Sequence, residues 1–228
     1  MDGARLAAAR AVTSFIEDGM VVGLGSGSTV SLIVAEISKL GKRITLIPAS
    51  SQTYLEAVRS GLQLTSLDRN PHPDLYIDSF DQTDESCNMV KGGGAALMRE
   101  KVLASASKLR IFVGESRKLS KKLNKPVPLE VLPFALGYVV DEVEKIGASV
   151  AVRMSQAKNG PTVTDNGNYV LDADFGEITD PASLEQRLRK IPGLLENGLF
   201  VGLADRMFIA FEDGRVEEMG CKTLKTSK

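Results

Sequence analysis

The residues best suited to chemistry lie between Asp74 and Lys101. Asp78, Asp81, Asp84 and Glu85 come first, followed by Lys91, Gly92-Gly93-Gly94 and then Arg99-Glu100-Lys101. Carboxylates move protons, an ammonium steadies a developing anion, and three residues without side chains let a ligand approach backbone N–H groups. The apolar run 75–77 before them reads as a buried strand, and the segment after the glycines reads as a helix whose positive end gathers those N–H groups into an anion site. Acids, a lysine and bare backbone converge at one strand end, where open α/β sheets bind ligands.

A second group, Ser26-Gly27-Ser28-Thr29, follows the apolar run 20–24 and Gly25 and precedes a helical pattern over 30–40, with Ser28 or Thr29 as N-cap. Strand, glycine-rich turn and helix suit a phosphate held by N–H groups and hydroxyls. The run Gly23-Leu24-Gly25-Ser26-Gly27-Ser28 lacks the third glycine of a dinucleotide fingerprint. The next strand, 44–47, is followed by Pro48-Ala49-Ser50-Ser51, with no acid for a ribose hydroxyl. No lysine precedes Ser28 as in a P-loop. NAD and nucleoside triphosphates are disfavoured, which leaves a phosphate monoester or another small anion.

The elements that must position these groups alternate. Helical spacing is read at 4–16, 30–40 and 50–60, and strands at 20–24, 44–47, 74–77 and 109–113. This predicts an α/β fold, a Rossmann-like, mostly parallel sheet with helices on both faces. Beyond Glu130 the texture changes. A helix at 134–146, strands at 149–153 and 169–172, an Asn166-Gly167 turn and a helix at 184–190 predict a small inserted α+β lobe. Segments 207–211 and 216–218 read as a closing hairpin around Asp213-Gly214.

The chain has 228 residues, 43% of them hydrophobic, and a formal net charge of −1. It is long enough to bury a substantial core. No basic patch interleaved with aromatics suggests nucleic acid, and no apolar run is long enough for a bilayer. Two cysteines, Cys87 and Cys221, without a CxxC pair or an N-terminal apolar signal segment, point to a reducing, cytoplasmic setting without structural zinc. Cys87 is expected to be an isolated, inert thiol. The single histidine, His72, sits between prolines in a loop, which excludes histidine-based catalysis and histidine metal sites.

A phosphate loop, acids, an ammonium and no histidine form a kit for proton transfer beside a sugar carbonyl, and so for aldose–ketose isomerisation. Glu100 is the chosen base because Ala96, Leu97, Leu103 and Ala104 would desolvate it and raise its pKa. Spacing alone does not select it over Arg99 or Lys101, and a surface Glu100 paired with its neighbours stays open.

The chain resembles the A-type ribose-5-phosphate isomerases of the pentose phosphate pathway. Seven motifs in order carry the resemblance over nearly the whole length: Gly25-Ser-Gly-Ser-Thr29, Asp78-x-x-Asp81, Lys91-Gly-Gly-Gly94, Leu97-x-Arg-Glu-Lys101, Pro128-x-Glu-Val131, Val163-Thr-Asp-Asn-Gly-Asn168, and Ile191-Pro-Gly193 with Gly198-Leu-Phe200. It implies a cofactor-free enediol isomerase acting on a small sugar phosphate, with Glu100, Asp81, Asp78 and Lys91 as catalytic residues. Substrate contacts would come from Ser26, Gly27, Ser28, Thr29, Asp78, Ser79, Phe80, Asp81, Lys91, Gly92, Gly93, Gly94 and Lys118. It further implies a ferredoxin-like lobe at 129–204, a catalytic domain of 1–128 with 205–228, and a homodimer or homotetramer.

The chain departs from the family pattern at a few positions. Ser79-Phe80 replaces the usual Gly-Ala and Gln82 a Glu. Serine for glycine would cost on the order of a kcal/mol at positive φ, and Phe80 is expected to narrow the pocket. Ala95, where a fourth glycine is usual, is a small change if its backbone is helical. The alternatives are a sugar-phosphate sensor on the same scaffold, an isomerase of another aldose phosphate, and an amino-sugar-phosphate deaminase, the last disfavoured by the lack of a usable histidine.

Overall fold

The computed structural model describes residues 2–157 and 159–221. In chain order the first part comprises α1 (Asp2–Thr13), β1 (Val21–Leu24), α2 (Ser28–Ile37), β2 (Thr45–Pro48), α3 (Ser51–Arg59), β3 (Gln63–Leu64), β4 (Leu75–Ser79), β5 (Gln82–Thr83), β6 (Met89–Val90), α4 (Leu97–Ala106) and β7 (Leu109–Glu115). The second comprises β8 (Val127–Val131), α5 (Leu136–Lys145), β9 (Ser149–Val152), β10 (Tyr169–Asp174), α6 (Pro181–Leu188) and β11 (Leu194–Asn197). The chain returns through β12 (Leu199–Phe200), β13 (Arg206–Ala210) and β14 (Val216–Met219).

Seven strands form the main sheet in the order β14-β13-β7-β4-β1-β2-β3, every pair parallel except β13 with β14. From β1 the chain moves outward through β2 to β3, then crosses back to β4 on the other side. The crevice beyond β1 and β4 is therefore the topological switch point. Alternation of side chains sorts the two faces. Leu75 and Ile77 of β4 join a core with Ala8, Val12, Ile33 and Val34 of α1 and α2. Tyr76 and Asp78 face the opposite side, where Leu103 and Ala104 of α4 pack.

On that side β1 presents Val21 and Gly23, and Gly25 follows just beyond its end. A Cβ on Gly23 would stand 2.8 Å from Leu103 Cγ, and one on Gly25 only 1.9 Å from Asp78 Cγ. Bare backbone here lets α4 and the Asp78 carboxylate close onto the sheet.

A separate four-stranded antiparallel sheet, β11-β8-β10-β9, carries α5 and α6 and has its own core of Val127, Leu129, Val131, Val139, Leu171 and Leu188 among others. The sequence pattern does not announce β8, since Val127-Pro128-Leu129-Glu130-Val131 contains a proline, which cannot donate to a ladder. Pro128 sits just beyond the stretch of β8 paired with β11, and its carbonyl accepts from Gly198 N–H. A third small sheet, β12-β6-β5, joins the two parts. Among the described residues no helix is long and apolar enough to cross a membrane. His72 lies exposed in the loop before β4.

Three local expectations are corrected. α2 begins at Ser28 with Gly27 as N-cap, at φ +94° and without a side-chain capping bond, so Ser28 and Thr29 occupy the first turn instead of capping it. Ala95 is left-handed, at φ +59°, so the glycine turn is followed by a strained alanine and α4 starts only at Leu97. Cys87 is not an isolated thiol: it is bonded to Cys221, 134 positions away, tying the β5–β6 hairpin to the segment after β14.

Ala95→Gly removes the Cβ clash of a left-handed residue and is expected to stabilise the fold by about 1 kcal/mol in denaturant unfolding. Reduction of the disulfide is expected to expose two titratable thiols and to lower stability by roughly 2–4 kcal/mol. Thiol titration and unfolding with and without reductant check this.

Candidate active site

At the switch point, the turn after β1, the end of β4, the end of β6 and the first turn of α4 meet. They enclose a cavity of about 200 Å³ lined by Ser26, Gly27, Ser28, Thr29, Ser79, Phe80, Asp81, Lys91, Gly92, Gly93, Gly94, Glu100 and Lys118. Every predicted substrate residue but one lies on this wall. The exception is Asp78, which is fully buried behind it.

Asp78 meets three donors. Its Oδ2 accepts from Tyr76 Oη at 2.5 Å and pairs with Lys91 Nζ at 2.7 Å, while Oδ1 accepts from Ser79 N–H at 2.7 Å. Such a carboxylate holds Lys91 in place and has little capacity left for a ligand. Lys91 Nζ also donates to Ser79 O at 2.6 Å and lies 3.2 Å from Glu100 Oε2. The ring of Phe200 lies 5.3 Å beneath it. Burial works against the ammonium, but Asp78 and Glu100 more than offset it and hold Lys91 above the usual lysine range. Burial, with Asp78 and Glu100 beside it, pushes Tyr76 well above the usual phenol value and keeps it a donor.

Glu100 is buried, which closes the surface-residue alternative. Oε1 accepts from Ser26 Oγ at 2.7 Å, while Oε2 faces Lys91. Burial first, and then the Asp78 charge, raise its pKa to about 7 against the opposing pull of Lys91 and Ser26. The flanking cations turn the other way. Lys101 Nζ pairs with Glu196 at 2.8 Å and Glu185 at 3.1 Å, and Arg99 donates to Asn166 Oδ1 and Asp165 O, both at 2.7 Å.

The other acid, Asp81, accepts from Gly93 N–H at 2.8 Å and borders the cavity. Lys118 Nζ donates to Phe80 O at 2.6 Å, and burial lowers its pKa despite Asp81 and Glu115 nearby. On the opposite wall Ser28 and Thr29 of the first turn of α2 line the cavity, and a helix start is a place where N–H groups can hold an anion.

Of the family departures, Ser79 and Phe80 border the cavity and bond its charged groups through their backbone. Phe80 does not narrow the cavity with its ring, which is 1% exposed and packed in the core against Gly114, where a Cβ would stand 2.5 Å from the ring. Ser79 is not at positive φ and carries no left-handed strain. Gln82 points away, its amide bonding Asn124 Oδ1 and the N–H groups of Asn124 and Lys125.

Sequence reasoning did not select Tyr76, although strand alternation puts it on the face of Asp78. Nor did it select Arg153, whose guanidinium reaches the Gly92 carbonyl at 2.7 Å from the second sheet; no local signal marks it. A larger cavity, about 420 Å³, lies near Ile47, Leu67, Met98, Arg99 and Val102. It holds none of the acid and ammonium groups described above.

Residues 45–214 match the family model described as Ribose 5-phosphate isomerase A (phosphoriboisomerase A). The chain is 44% identical over 199 residues to ribose-5-phosphate isomerase A of Archaeoglobus fulgidus, covering 85% of this chain and 88% of that one. To the Methanothermobacter thermautotrophicus protein of the same name it is 42% identical over 215 residues, covering 92% and 94%. Its structure is similar to a D-ribose-5-phosphate isomerase in complex with phospho-erythronic acid, with TM-score 0.92, 36% identity and coverage of 95% and 97%. The ribose 5-phosphate isomerase A of Methanocaldococcus jannaschii gives TM-score 0.90 at 30% identity, covering 95% and 98%. With the family model spanning most of its length and its switch-point fold shared at that level, the chain belongs to the ribose 5-phosphate isomerase A family.

Proposed function

We propose that this chain interconverts D-ribose 5-phosphate and D-ribulose 5-phosphate through an enediol intermediate. The observation that carries the reading is Glu100: a buried carboxylate, gripped by Ser26 and Lys91, with its pKa raised to about 7, beside a glycine turn and a helix N-terminus. A base poised near neutral pH both accepts and returns a proton. The substrate phosphate sits at Ser26 to Thr29 and Lys118, and the open-chain sugar reaches toward Lys91. Glu100 takes the proton from C2 and delivers it to C1. Lys91 and the glycine N–H groups face the oxygen that becomes negative, and Asp81 relays the hydroxyl proton and assists ring opening. Asp78, fully buried and held by three donors, orients Lys91.

The wider assignment is part of the same proposal: a catalytic body of 1–128 and 205–228, an inserted lobe of 129–204, a cytoplasmic setting and a homodimer or homotetramer. Phe134, 96% exposed, with Tyr138 half-exposed one turn on, supports a buried contact between copies. A cytoplasmic setting requires that the Cys87–Cys221 bond withstand the thiol pool there.

Conversion of ribose 5-phosphate by purified protein, followed with chelator and no added cofactor, tests the reading. Glu100→Gln is expected to cut kcat by about 10²–10⁴-fold with a modest change in KM; unchanged turnover would remove Glu100 from the role of base. Because the base must be ionised, kcat/KM is expected to rise with pH through about 7, rather than through the ordinary carboxyl value of 4.5. Binding of ribose 5-phosphate without turnover would make the protein a sensor. Sedimentation should show a dimer or tetramer that Phe134→Glu weakens.

A further inference from the structure

Besides the two ties from α4, the second sheet touches the site through Arg153. This residue follows β9, where its backbone is anchored on both sides: its N–H donates to Val170 O at 2.9 Å and its carbonyl accepts from Thr162 N–H at 2.8 Å. Its guanidinium is held by Asp172 of β10, with Nε 2.9 Å from Oδ2 and Nη2 on Oδ1. The remaining nitrogen, Nη1, donates to Gly92 O at 2.7 Å and to Gly93 O at 3.1 Å. The side chain is 18% exposed.

Planar trans peptides carry C=O and N–H on opposite sides, and the described residues contain no cis peptide bond. A guanidinium that draws in the carbonyls of Gly92 and Gly93 therefore turns the N–H groups of Gly93 and Gly94 the other way. Gly93 N–H meets Asp81 Oδ2 at 2.8 Å. Gly94 lines the cavity, where a Cβ on it would stand 3.5 Å from Ser26 Oγ. Among the described residues its N–H has no protein acceptor. The positive charge, which a guanidinium cannot lose, also polarises both peptides and strengthens those donors.

We propose that Arg153 is a positioning residue of the isomerase: from the second sheet it sets the glycine turn so that Gly93 aims Asp81 and Gly94 presents its N–H to the enediolate oxygen. This rests on the reading of the turn as an anion-stabilising element. The Gly92 carbonyl also accepts from Ala95 N–H at 3.0 Å, which closes the turn, but among the described residues no other side chain draws the Gly92 and Gly93 carbonyls outward. Without Arg153 the Gly93–Gly94 peptide loses its aim while the phosphate site at Ser26 to Thr29 is untouched.

The experiment compares Arg153→Met, Arg153→Lys and Glu100→Gln in turnover, in KM and in inhibition by phospho-erythronic acid, whose carboxylate resembles the anionic intermediate. Arg153→Met is expected to lower kcat by about 10–100-fold, less than loss of a donor itself, with KM within about twofold. The inhibition constant should rise by about tenfold, a change that a merely structural role would not separate from KM. Arg153→Lys, which keeps the charge without the fork, should recover part of kcat. Rates are taken per folded molecule, and Arg153→Lys serves if the methionine variant fails to fold. A wild-type kcat and inhibition constant in either folded variant, with Glu100→Gln inactive, overturns the positioning role alone. An active Glu100→Gln overturns the reading beneath it.

Discussion

The structure depends on one buried ion cluster. Lys91 stands between Asp78 and Glu100, at 2.7 and 3.2 Å, with all three side chains 4% exposed or less. Removing such charges from water costs several kcal/mol per ion, and only close geometry and further hydrogen bonds offset it. Here Tyr76, Ser79 and Ser26 supply those bonds. Two carboxylates and one ammonium leave an excess of negative charge in a poor solvent. The group with the fewest donors, Glu100, takes up the imbalance as a raised pKa. Poor solvation of Glu100 in the resting protein is thus the origin of its basicity near neutral pH.

Much of the surrounding chain is arranged to let that cluster form. The chain gives up side chains at Gly23 of β1 and at Gly25 just after it, so that Leu103 and Asp78 can come close. Gly198 is similarly bare, since a Cβ there would stand 2.2 Å from Lys91 O. Phe200 supplies one ring to two ammonium groups, Lys91 at 5.3 Å and Lys101 at 5.1 Å. The triplet Arg99-Glu100-Lys101 divides its charges: the acid turns into the main sheet's crevice, and the two bases reach Asp165, Asn166, Glu185 and Glu196 in the second part of the chain. The second part of the chain in this sense supports the cavity from behind, without lining it.

The same ties explain two motifs that have no direct part in the chemistry. Glu130 is completely buried, and its Oε1 accepts from Thr164 Oγ1, Asn166 Nδ2 and Asn168 Nδ2 at 2.8–2.9 Å. It thereby fixes the turn whose Asp165 carboxylate holds the Ser51 N–H and hydroxyl at the start of α3. A carboxylate organises the turn, and the turn holds Arg99, the chain neighbour of Glu100.

The alternation of strands and helices, the glycine-rich turn at Ser26 to Thr29 and the acid, lysine and glycine content of the cavity were legible in the sequence, because periodicity, turn chemistry and residue type are local properties. The family pattern in the order of seven motifs agreed with the choice of Glu100, which spacing alone did not separate from Arg99 or Lys101. Local reading could not decide what depends on distant neighbours. Glu100 shares its apolar surroundings along the helix with Arg99 and Lys101, and only the approach of β4, β6 and the second sheet points it inward. Phe80 looked able to close the pocket until Gly114, on an adjacent strand, made room for its ring. Ala95 takes its left-handed turn from the backbone on either side of it, and Cys87 finds Cys221 across 134 positions. By itself the sequence determined the kinds of groups and the elements that carry them. Tertiary structure decided their direction, burial and partners, because electrostatics and packing act through space between residues that the chain order keeps apart.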